Sequence, residues 1–111
     1  MKYRLDFVTN SSSSSFMVLV VDDNVKEKIF DYENIDEEYT DLWCFEFKSN
    51  KLDTVYDSDG LRWLCQILHE NDLRQKTINT LELELVEDLN EKYNLGLTIE
   101  DVYFTNDVVY N

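Results

Sequence analysis

This 111-residue sequence predicts an α+β fold, with a small mostly antiparallel sheet packed against two to three helices. Three observations predict it. Alternating or β-branched apolar runs recur near both ends and in the middle of the chain. Two segments between them repeat apolar residues at helical spacing. There is no proline and no internal repeat to mark a boundary, so residues 1–111 read as a single acidic α+β domain with one core.

The elements follow in order. Tyr3, Leu5 and Phe7 alternate with Arg4 and Asp6 over 3–8, the pattern of a short half-buried strand, and Phe16–Val21 is a continuous β-branched run suited to a central strand. Asp22 or Asp23 caps a helix to about Phe30 with Val25, Ile29 and Phe30 inward. Residues 31–41 carry only Tyr32, Ile35 and Tyr39 as apolar anchors and are expected to be irregular or weakly helical. Trp43, Phe45 and Phe47 alternate with Cys44, Glu46 and Lys48 as a strand, with Leu52–Tyr56 as its hairpin partner. Ser58 or Asp59 then caps a helix over about 60–70, in which Leu61, Leu64, Cys65 and Leu68 fall on one stripe widened by Trp63 and Ile67. From Ile78 to Tyr93 the set Ile78, Leu81, Leu85, Leu89, Tyr93 has helical spacing, with Glu84, Asp88 and Glu91 on the opposite face and Gly96 as the stop. Val102-Tyr103-Phe104 and Val108-Val109-Tyr110 read as terminal strand about an Asn106-Asp107 turn or bulge.

The stretch Asp6-Phe7-Val8-Thr9-Asn10-Ser11-Ser12-Ser13-Ser14-Ser15-Phe16 resembles the FVTNSSSSSF or FVSNSSSSSF opening of many small uncharacterised proteins from bacteria, phages and mobile elements. The match spans a tenth of the chain. The resemblance implies a bacterial or mobile-element origin and a shared processing or modification step, not a fold or an activity. Ser11, Ser12, Ser13, Ser14 and Ser15 offer hydroxyls that bond local backbone or accept phosphate, each phosphate adding about 1.5–2 negative charges. The plainer reading is a polar loop or a small-residue strand.

Charge is the most informative compositional feature. The formal net charge is −14, and two stretches hold all of it. Residues 29–47 carry seven acids (Asp31, Glu33, Asp36, Glu37, Glu38, Asp41, Glu46) and no base; residues 77–111 carry eight acids against Lys92 alone. The remaining stretches, 1–28 and 48–76, hold nine acids and nine bases. Such a field repels nucleic acid and anionic lipid and attracts basic proteins, so no direct nucleic-acid or membrane binding is expected. A hydrophobic content of 43% with thirteen Phe and Tyr and two Trp is too apolar for a disordered acidic tail. No apolar run approaches the roughly 20 residues of a membrane span, and the first residues lack a signal-type core, which predicts a soluble cytoplasmic protein.

The chemical constellations are sparse, and none makes an enzyme of the chain. Cys44 and Cys65 lack the close spacing of a metal or redox pair, so buried thiols are the default. His69 is the only histidine; it lies four residues after Cys65, within reach on one helical face, but nothing nearby marks an orienting acid or oxyanion donors. Cys65, His69 and Cys44 do not make a recognisable zinc set. Asp57-Ser58-Asp59-Gly60 suggests a calcium loop, yet with Gly60 sixth the first and twelfth positions fall on Val55 and Gln66, so a turn plus helix cap is expected. Only Gly60 and Gly96 are glycines, which excludes a Gly-rich phosphate loop. No cofactor and no metal are expected.

The acids themselves remain. Carboxylates at successive helical turns repeat at about 5–6 Å, close to the roughly 7 Å step between phosphates along a strand. A helix face with Glu84, Asp88 and Glu91 and an acidic loop with Glu33, Asp36, Glu37, Glu38 and Asp41 thus predict a partner-binding surface that imitates a DNA backbone, with Tyr32, Tyr39 and Trp43 as candidate anchors, of which Trp43 reads better as core. The expected partner is a basic, nucleic-acid-binding protein, and the sharpest version is an anti-CRISPR protein acting on a CRISPR effector nuclease. The alternative is a soluble interaction module of bacterial or mobile-element origin, dimeric through an edge strand, whose serine run is a structural loop or modification site.

Overall fold

The computed structural model describes residues 14–15, 17–36, 42, 45–57, 60–105 and 108–110. The elements run β1 (Ser14–Ser15), β2 (Met17–Val21), α1 (Asp23–Tyr32), β3 (Asp53–Asp57), β4 (Arg62–Leu68), α2 (Glu70–Gln75), α3 (Ile78–Tyr93), a 3-10 turn (Ile99–Asp101), β5 (Val102–Thr105) and β6 (Val108–Tyr110). All strand pairings are antiparallel, in the order β1-β6-β3-β4-β2-β5. The protein is α+β.

The sheet is strongly curled. A flat sheet would place β1 and β2 about 19 Å apart, four strand spacings. Ser15 and Met17 are two residues apart, a span of roughly 7 Å at most, so the two ends of the sheet must approach one another. The register agrees: the offset that pairs Val21 with Val102 and Val18 with Thr105 also pairs Ser15 with Val108 and Ser14 with Val109.

Alternation along the strands then makes two clusters. Leu19, Val21, Leu64, Leu68 and Val102 face the helices and pack with Val25, Ile29, Phe30, Leu81, Leu85, Leu89 and Tyr93. Val18, Val20, Val55, Cys65 and Ile67 form a second buried group with Trp63 packed against it. β2 lies between β4 and β5, as expected of the Phe16–Val21 run. α1 buries Val25, Ile29 and Phe30 as its spacing requires, although the Asp22 side chain makes no cap hydrogen bond. α3 spans Ile78–Tyr93, opened by Thr77, whose hydroxyl accepts from the Thr80 N–H at 3.1 Å.

Several expectations are overturned. Residues 62–68 form strand β4, paired with β2 and β3, not a helix. The leucine spacing that suggested a helix is shared by both periods: Leu64 and Leu68 lie four apart on one strand face, while Trp63, Cys65 and Ile67 occupy the other. β3 pairs with β4 and β6, and Phe45–Phe47 is not strand, so the hairpin predicted between 43–47 and 52–56 does not form. Instead Phe47 packs on Phe30 and Phe45, with centroids at 6.3 and 4.9 Å. The segment that Ser58 or Asp59 is expected to cap is strand β4, and those two residues lie outside the described residues; Gly60, at φ 82, precedes β4 in a left-handed conformation that glycine tolerates. α3 stops at Asn94, itself left-handed at φ 55, rather than at Gly96; Asn34 at φ 58 follows the end of α1 in the same way. The expected strand 3–8, Ser11, Ser12, Ser13, Trp43, Cys44 and the Asn106-Asp107 turn lie outside the described residues.

Candidate functional site

Three segments meet at the C-terminal ends of α1 and α3. Tyr93, in the last turn of α3, is buried at 3% exposure, yet its hydroxyl is fully used. It accepts from the Ser49 N–H at 3.1 Å and donates to Glu33 Oε2 at 2.6 Å. The same Glu33 oxygen accepts the Lys48 N–H at 2.6 Å. The Ser49 hydroxyl donates to Asp88 Oδ2, accepts the Lys51 N–H at 3.3 Å, and is wholly buried. Asp88 is completed by Lys92, Nζ to Oδ1 at 3.4 Å. Above this chain the Tyr32 ring stands edge-on to Tyr93 at 5.1 Å, and Lys48 donates to the Tyr32 hydroxyl at 2.9 Å.

These contacts satisfy polar groups that burial would otherwise strand. Burial first, and then the hydrogen bond to Glu33, hold the Tyr93 phenol well above its ordinary range. The hydrogen bond to Tyr32 likewise raises the Lys48 ammonium. The arrangement fastens the 45–52 segment to two helices.

The sequence-predicted acids therefore fall into different groups. Glu33 and Asp88 carry internal hydrogen bonds. Asp88 does not lie opposite the apolar stripe: it falls about 20° from Leu81 around the α3 axis, with Glu84 and Glu91 about 60° and 80° away on the same flank. Glu84 pairs with Lys76 at 2.9 Å, and Glu91, its side chain 77% exposed, lies 3.7 Å from Lys92. Asp36 is exposed in the segment after α1. Glu37, Glu38 and Asp41, with Tyr39, lie outside the described residues. Asp31, at the end of α1, and Glu87, on α3, are exposed.

The Cys65–His69 proximity does not form. Cys65 is buried in β4, whereas His69 is exposed at the start of α2, four extended residues or about 13 Å further along the chain. The His69 N–H donates to Asp72 at 3.0 Å, a helix-start role. Among the described residues no cluster of His, Cys, Asp and Glu suits a metal ion, and no helix is long and apolar enough to cross a membrane. The chain matches no family model, no curated protein and no solved structure.

Ser49 and the Tyr93 hydroxyl were missed by sequence reasoning. The signal for Tyr93 was its place at the end of an apolar stripe otherwise made of Leu and Ile; Ser49, flanked by Lys48 and Asn50, carried none.

Proposed function

We propose that this protein is a non-enzymatic acidic binding protein of the cytoplasm that inhibits a basic nucleic-acid-binding protein by imitating DNA. The supporting observation is the Glu33–Tyr93 hydrogen bond at 2.6 Å, which ties the start of one acid-rich stretch to the middle of the other. In this reading exposed Asp31 and Asp36 from the first stretch, and half-exposed Glu84 with exposed Glu87 and Glu91 from the second, supply the carboxylates of an acidic corner. A rigid acidic corner suits competition for a Lys/Arg channel, because its charges need not be ordered on binding. The sharpest case is an anti-CRISPR protein covering the PAM-reading arginines of an effector nuclease.

The test is a tagged pull-down from nuclease-treated bacterial lysate, eluted with a salt gradient. Release of a basic nucleic-acid-binding protein by moderate salt and by added DNA is the expected result, with capture lost in the triple variant Asp36→Lys, Glu87→Lys, Glu91→Lys. Recovery indifferent to salt, DNA and the triple variant overturns the reading. It would favour a soluble interaction module, a view supported by the engagement of Glu33 and Asp88 inside the molecule.

A further inference from the structure

A groove of about 440 Å³ opens at the far end of α1, between its first turn and the Gly60-Leu61 approach to β4, and its lining includes Lys26, Tyr56, Gly60, Leu61, Arg62 and Trp63. Unlike the two acid-rich stretches, its described lining carries two cations and one carboxylate. The chain has 24 acids against 10 Lys and Arg, so a guanidinium is expected to find a carboxylate. Arg62 does not: among the described residues it forms no ion pair, and lies instead over the Tyr56 ring at 4.7 Å with a hydrogen bond to the Tyr56 hydroxyl. Stacking holds the guanidinium plane in place, and among the described residues only the Tyr56 hydroxyl takes one of its five donors. Lys26 adds a second cation, fixed by donating to the Arg62 carbonyl at 3.2 Å and lying 3.9 Å from Asp23, the one carboxylate among the described lining residues. Leu61, 62% exposed, and the half-buried Trp63 supply apolar surface beside the charges.

We propose that this groove binds a small planar carboxylic acid, its carboxylate on Arg62 and Lys26 and its flat body against Leu61 and Trp63. A guanidinium fork matches a carboxylate in two-point geometry, and the groove volume lies within the roughly 300–1,000 Å³ usual for small ligands. The surrounding negative field disfavours polyanions, so a monoanion with an apolar body fits where a polyphosphate does not. The site is independent of the acidic corner, and neither reading depends on the other.

Isotope-labelled full chain is titrated with benzoate and, in parallel, with inorganic phosphate, following backbone amides and the Arg62 and Trp63 side-chain N–H signals. Saturable benzoate shifts centred on Gly60, Leu61, Arg62 and Trp63 are expected, with phosphate at least tenfold weaker. Arg62→Gln lowers benzoate affinity at least tenfold; Leu61→Glu, at an exposed position that cannot compromise folding through the core, does the same by placing a like charge at the mouth. Absence of saturation, shifts centred elsewhere, or unchanged binding in Leu61→Glu overturns the proposal. Phosphate binding as tightly as benzoate overturns the planar-acid assignment.

Discussion

β4 and α3 carry leucines at the same spacing and adopt different structures. Leu64 and Leu68 in β4, like Leu81, Leu85 and Leu89 in α3, lie four residues apart and are buried in the same helix-facing core. The residues between them decide the outcome. In β4 they are Cys65 and Ile67, which with Trp63 fill the second cluster, and Gln66 beside the leucines, so the face opposite the leucines is apolar as well. In α3 they include Glu82, Glu84, Glu87 and Asp88, which a strand buried on both faces has no means of accommodating. α3 also runs for 16 residues of mostly strong helix formers, against seven in β4. A four-residue repeat is thus uninformative alone, because it is one turn of helix and two full periods of strand.

The largest test of that contrast is Ile67→Lys against Glu87→Lys. Ile67 is 7% exposed in the second cluster, and an unpaired charge there is expected to prevent folding, whereas exposed Glu87 is expected to change stability by less than about 0.5 kcal/mol. Circular dichroism and urea titration separate the two; a folded Ile67→Lys would mean that this face of β4 is not enclosed. Next, Leu85→Ala and Leu64→Ala should each cost about 2–5 kcal/mol, since both side chains are wholly buried in one core. A cost confined to Leu85 would separate the sheet from the helix layer.

Tyr93→Phe sharpens the comparison at the end of α3, where packing gives way to hydrogen bonding. The Ser49 N–H and Glu33 lose a partner, and a cost of about 1–3 kcal/mol is expected in urea denaturation. Its pH dependence has a fixed sign. The folded phenol holds its proton above the ordinary value of 10.0, so its contribution is complete below that pH and is lost as the unfolded chain ionises above it. Stability should fall progressively above about pH 10 in the parent and fall less in Tyr93→Phe; raised Lys48 acts in the same direction, leaving a remainder. Equal slopes in the two proteins would show that Tyr93 is not the group responsible.

Smaller effects follow at the helix surface and end. Asn94→Ala, forcing a Cβ-branching-free but non-glycine residue into φ 55, should cost about 1 kcal/mol, and Asn94→Gly nearly nothing. Glu84→Gln removes an exposed pair with Lys76 and should cost under about 1 kcal/mol, vanishing in high salt.

Much of the fold was legible because local periodicity and tertiary demand agreed. The bounds of α3, the inward set of α1, the central place of β2 and the strands at 102 and 108 were all readable, since each segment had one consistent apolar face or a β-branched run. The candidate site was less legible. Sequence marked the acids but not their fates, because whether a carboxylate faces solvent or takes a buried N–H depends on which distant backbone arrives beside it. Glu33 and Tyr93 are 60 positions apart, and Ser49 and Tyr93 are 44 apart.

By itself the sequence determined the α+β class, the helix at 78–93 and the two concentrations of negative charge, all properties of composition and short-range spacing. Only the tertiary structure decided that 62–68 is a strand, that Glu33 and Asp88 serve as internal acceptors, and that Arg62 lies on Tyr56 beside a groove. Each of these depends on long-range pairing, where burial on a second face and the satisfaction of backbone groups override local preference.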